Sequence, residues 1–96
     1  RDSLESQVSG EDWSLLEEAV NGAYGGLIGK LYKIHKLNER EVRICLLIKI
    51  GILPKDMAKL TNYSRESISS VRRRLYEKFF GEKGTPQQWD EFIDSL

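Results

Sequence analysis

The clearest periodicity in the chain lies late. Ile68, Val71, Leu75 and Phe79 recur at i, i+3, i+7 and i+11, which is one stripe of an α-helix. At about 100° per residue, Glu66, Ser70, Arg73 and Glu77 fall opposite that stripe, with Ser69 and Arg74 beside them. Ser64 is placed to cap the first free N–H groups and Tyr63 to staple onto Ile68, so the pattern predicts a helix over 64–80. Two shorter helices are predicted before it. Asn38 and Glu41 have the spacing of a capping box, with Leu37 and Val42 as its staple. Val42, Cys45, Leu46, Ile48 and Lys49 carry that helix on, until Gly51 offers a left-handed stop. Pro54 suits the first position of a helix over 54–60 whose inner face is Met57, Ala58 and Leu60. Only Thr61, Asn62 and Tyr63 separate it from the next start signal.

The flanks are also helical by pattern. Trp13, Leu16 and Val20, with Leu15 and Ala19, predict a helix over 11–21 that Asn21-Gly22 ends. Leu27, Ile28, Leu31, Tyr32 and Ile34 predict another over about 25–34, weakened by Gly25, Gly26 and Gly29. After the loop 81–84, Thr85, Pro86 and Gln88 open a last helix whose apolar face is Trp89, Phe92, Ile93 and Leu96. Residues 1–8 show no periodicity and read as a frayed end or the tail of a preceding helix. Trp13 and Trp89 suit either the core or an interface. The expected fold is all-α, a small bundle in three parts. An N-terminal helical extension, 1–36, leads from an upstream region, a helix-turn-helix occupies 37–80, and a capping or dimerising helix occupies 81–96.

Two helices joined by a three- or four-residue turn, the second offering basic and hydroxyl groups, form a helix-turn-helix. The run 37–80 resembles the DNA-binding domain of LuxR/NarL-type bacterial transcription regulators. The resemblance rests on Leu37-Asn38-Glu39-Arg40-Glu41, on Gly51 followed by Lys55-Asp56-Met57-Ala58, and on Ser64, Ser67-Ile68, Leu75, Lys78 and Phe79. With Arg43-Ile44-Cys45-Leu46-Leu47-Ile48 after the first motif, it is similar to the variant that closes multidomain bacterial sensor-regulators. Leu53 stands where that family usually has a capping Ser or Thr, and Val71 where it often has His. The tail beyond Gly81 is longer than the usual end of the domain. The resemblance implies DNA binding as regulatory output, and dimerisation through the helix after the recognition helix.

Charge sharpens this expectation. The chain of 96 residues is neutral overall, with fifteen cations and fifteen anions. Residues 1–35 carry three cations against six anions, a net of −3. Residues 36–83 carry twelve against six, a net of +6, and 84–96 hold three anions, −3. The positive charge is thus concentrated on the helix-turn-helix. Arg1 in place of an initiator Met implies that the chain continues upstream, where a regulatory input would lie.

The single cysteine permits no internal disulfide and no cysteine-based zinc site. Cys45 reads as a small core residue in a cytoplasmic protein. His35 has no second histidine, cysteine cluster or nucleophile beside it, and reads as a surface residue. No carboxylate pair or metal cluster suggests an enzyme, and no cofactor is implied. A glycine-rich phosphate loop at 22–29 lacks its preceding strand and its Lys-Ser/Thr. No apolar run approaches the ~18 residues a membrane span requires.

The expected base-contacting set is Ser69, Ser70 and Arg73, with Glu66 in support, Arg73 having the donors to meet guanine bidentately. The expected phosphate-contacting set is Lys55, Thr61, Asn62, Tyr63, Ser64, Arg65, Arg72, Arg74 and Lys78. The bland alternatives are an Arg73–Glu77 pair one turn apart and a solvated surface run at 72–74. Partners implied are double-stranded DNA, a second copy of the chain and the upstream region. The rival readings are a helical protein-interaction module that binds no DNA, and a polymerase-associated σ-like helix-turn-helix.

Overall fold

A computed structural model describes residues 9–96, and the expectation for 1–8 lies outside the described residues. Six helices follow one another with no strand among them: α1 Gly10–Ala23, α2 Leu27–Ile34, α3 Glu39–Lys49, α4 Pro54–Thr61, α5 Arg65–Phe80 and α6 Pro86–Asp94. The all-α expectation holds.

The ends of these helices follow capping chemistry. Ser9, Ser64 and Thr85 each accept the N–H three residues on, and Asn38 does so within a reciprocal box with Glu41. Gly81 ends α5 in the left-handed region at φ 73°, and Asn62 ends α4 there at φ 63°. The stop expected at Asn21-Gly22 is not where α1 ends; the helix runs on to Ala23. Asn21 instead accepts the N–H of Ile28 through its side chain at 2.8 Å, capping α2 from seven residues away. Gly26, the N-cap of α2, has no side chain for that task. Gly25 and Gly26 are both left-handed, so α2 starts at Leu27 rather than 25.

α3 is the centre of the bundle. Ile44, Cys45, Leu46, Leu47 and Ile48 are all buried, so this helix is enclosed on every side over its second half, while Glu39 and Arg40 in its first turn reach solvent. It packs against α1, α4, α5 and α6, while α2 lies on α1. One continuous core results, running from Trp13 and Val20 through Leu27, Leu31, Met57, Ile68 and Leu75 to Trp89 and Ile93. Trp13 and Trp89 are therefore core residues. Phe92 and Leu96 pack partly buried against the same core. The terminal segments are structural parts of a single core, not appendages to it.

Two stripes are narrower than their periodicity suggests. Leu15 and Ala19 on α1, and Tyr32 and Ile34 on α2, are exposed. The short α2 packs mainly on α1, and Leu27, Ile28 and Leu31 are the face it buries.

The link between α5 and α6 is tight. A Cβ at Gly84 would stand 2.2 Å from Tyr76 Cδ1, so only glycine lets the loop lie against that ring. Phe79 and Phe92 then pack around Trp89 with ring centroids 4.9 and 5.3 Å from its own.

Candidate nucleic-acid interface

The surface of interest is built on α5, held by three different anchors. Its inner stripe of Ile68, Val71 and Leu75 is buried. Its first turn is capped by Ser64, whose hydroxyl accepts the Ser67 N–H at 3.0 Å. The turn before it is fixed by Thr61, whose hydroxyl donates to the Met57 carbonyl at 2.6 Å and accepts the Tyr63 N–H at 3.2 Å. Only Asn62, Tyr63 and Ser64 lie between α4 and α5, the length of a helix-turn-helix connection.

Burying one stripe this way leaves a polar outer face. Arg65, Glu66, Ser69, Ser70 and Arg73 together line one shallow, open depression on it. The four residues expected at base edges are thus brought into one contiguous patch. Arg73 is exposed and pairs with no described carboxylate, Glu77 one turn on included. The bland intrahelical pair is not formed.

The phosphate set divides. Lys55, Asn62, Ser64, Arg65 and Arg74 are exposed. The hydroxyl of Thr61 is engaged in its own turn, and Tyr63 is half-buried against the core. Lys78 is partly engaged, its ammonium 3.3 Å from Glu41 Oε2, while Glu41 Oε1 accepts the Asn38 N–H.

Arg72 is a correction. Its side chain is only 3% exposed, and its guanidinium meets Asp90 of α6 bidentately at 2.9 and 2.5 Å. It has no free face for a phosphate. A run of three arginines reads as one basic surface, but at 100° per residue the first of them turns inward, between α5 and α6. The sequence signal was available in the spacing: Arg72 sits one residue from Val71 and three from Leu75, on the edge of the buried stripe.

Arg40 joins this surface from elsewhere in the chain. It projects from the first turn of α3, places its guanidinium 4.8 Å from the Tyr63 ring centroid, and donates to Ser67 Oγ at 3.3 Å. Sequence alone does not reveal this approach, because 27 residues separate Arg40 from Ser67.

The described residues offer no cluster of three or more His, Cys, Asp or Glu side chains that would hold a metal. Cys45 is fully buried, and burial pushes its thiol from 9.0 up to about 12. The Trp89 indole opposes that rise, and the Glu41 and Asp90 carboxylates reinforce it. The thiol stays neutral, without the thiolate that nucleophilic or metal chemistry needs. His35 is exposed and packs on Phe79, centroids 5.4 Å apart. No described helix is long and apolar enough to cross a membrane.

Comparison of the chain with protein-family models, with curated proteins and with solved structures finds no match.

Proposed function

We propose that this chain is the DNA-binding output domain of a bacterial transcription regulator, with α5 as the helix that enters the major groove. The observation that carries the reading is the patch of Arg65, Glu66, Ser69, Ser70 and Arg73. It joins two guanidinium groups, neither in an ion pair among the described residues, to two hydroxyls on the outer face of a helix that follows a three-residue turn. Guanidinium groups suit guanine O6 and N7, and hydroxyls suit either kind of base edge. Arg74, Lys55 and Ser64 flank the patch as phosphate contacts, which position without specifying. The net of +6 over 36–83, or +5 once Arg72 is set against Asp90, supplies the electrostatic part.

The partners of this reading are double-stranded DNA, a second copy of the chain and an upstream regulatory region, in the cytoplasm. Two copies would read half-sites about one turn, ~34 Å, apart.

Fluorescence anisotropy on duplex DNA across a salt series tests the reading. The expected result is an affinity that falls steeply with salt. Arg74→Ala should lower the slope of log affinity against log salt by about one. Arg73→Ala should cost ~1–3 kcal/mol at some duplex sequences and little at others. No binding at low salt by a sample that sedimentation finds dimeric would instead favour the protein-interaction reading.

A further inference from the structure

We infer that Arg40, on α3 and outside the helix-turn-helix pair, is a DNA phosphate contact that fixes how α5 sits in its groove. The inference rests on the DNA-binding reading and adds to it a residue that neither the turn nor the recognition helix supplies.

Arg40 occupies the second position of α3, one residue after Glu39. A cation there meets the positive end of the helix dipole, so its own helix gives no reason for it. Among the described residues it also lacks a carboxylate within 4.0 Å; Glu39 is paired with Arg43, at 3.4 Å, and Glu41 with Lys78. Its guanidinium is nevertheless held in place, over the Tyr63 ring at 4.8 Å and against Ser67 Oγ at 3.3 Å. Stacking of this kind fixes the plane of the fork and leaves its remaining N–H donors directed outward. Arg40 is exposed. It is a positioned cation whose anion is still to come.

The location identifies that anion. Ser67, Ser70 and Arg74 follow i, i+3 and i+7, so they share one flank of α5 beside the patch of Ser69 and Arg73. Arg40 joins that flank at Ser67, one turn nearer the N-terminus than Ser70 and two nearer than Arg74. A helix lying in a major groove has a phosphate strand along its flank, and Arg40 and Arg74 would grip that strand at two places. A guanidinium suits phosphate geometry better than an ammonium does, and here it is preorganised.

The test is anisotropy on two duplexes of different sequence, between 50 and 200 mM salt, for the wild-type chain, Arg40→Ala, Arg40→Lys and Arg73→Ala. Arg40→Ala is expected to lose affinity equally on both duplexes. The wild-type advantage over it should shrink about 3.5-fold across that salt range, the signature of one phosphate contact. Arg40→Lys should keep the wild-type slope while binding more weakly. If the wild-type chain binds but Arg40→Ala has the same affinity and slope, Arg40 is no phosphate contact and the broader reading stands. If the wild-type chain binds neither duplex, both are overturned. Should Arg40→Ala melt below the assay temperature by circular dichroism, Arg40→Gln keeps the stem on the Tyr63 ring and decides in its place.

Discussion

Arg72 is the most buried charged residue described, and Asp90 is its partner. A guanidinium 3% exposed tolerates burial because its fork is matched by a carboxylate, itself 26% exposed. The two partners are unequal for that reason. Asp90→Ala strands a buried charge and should cost about 3–5 kcal/mol in urea unfolding, whereas Arg72→Ala leaves a carboxylate that can hydrate and should cost less. Replacing both with Arg72→Met and Asp90→Leu should cost less than Asp90→Ala alone; a larger cost would mean that the pair stabilises beyond satisfying its own charges. Cys45 gives a second prediction at this scale. Its folded pKa, about 12, lies above the unfolded value near 9.0. Above pH 9 the unfolded chain therefore releases a proton that the folded chain retains. Stability from this group is fully present below pH 9 and is lost as pH rises toward 12. Urea midpoints between pH 8 and 10.5 should fall more steeply for the wild type than for Cys45→Ala.

Among the elements, α4 is the one whose start is left incomplete. Its N-cap is Leu53, 58% exposed, with no side-chain bond to the first turn. Leu53→Ser should stabilise the domain by about 0.5–1 kcal/mol, raising the thermal midpoint by a few degrees. This departure was readable directly, because a cap is a matter of one residue and its near neighbours. So were Ser64, Thr85, the Asn38–Glu41 box and the all-helical fold, which local spacing determines. What sequence left hidden depends on neighbours distant along the chain. Asn21 resembles a stop signal until α2 is present to receive its oxygen. Tyr32 and Ile34 continue an apolar stripe that packing leaves exposed. Spacing puts Arg72 at the edge of the buried stripe, but its partner Asp90, 18 residues on, is not legible from it. The patch on α5 follows from period 3.6, whereas Arg40 reaches Ser67 only once α3 and α5 have packed.

For the molecule as a whole, burial and charge divide the surface. The buried run 44–48 of α3 is sheathed on several sides, and the face of α5 that remains turns outward with Arg65, Arg73 and Arg74. α6 buries Trp89 and Ile93 and leaves Gln87, Gln88, Glu91 and Asp94 exposed. Its outward surface is therefore polar, and a second copy docking there would meet amides and carboxylates. At the opposite end from Arg40 along α3, the Lys49 ammonium spends its hydrogen bonds on the carbonyls of Ile93, Asp94 and Leu96, at 3.4, 3.1 and 2.8 Å. The same ammonium lies 4.8 Å from the centroid of the Tyr24 ring, where α1 ends. The last turn of a helix ordinarily exchanges its amide protons first, by fraying independently of the rest. Here that fraying would release a cation from three oxygens at once, so hydrogen exchange in the final turn of α6 is expected to be slower than fraying alone allows, and Lys49→Ala should speed it.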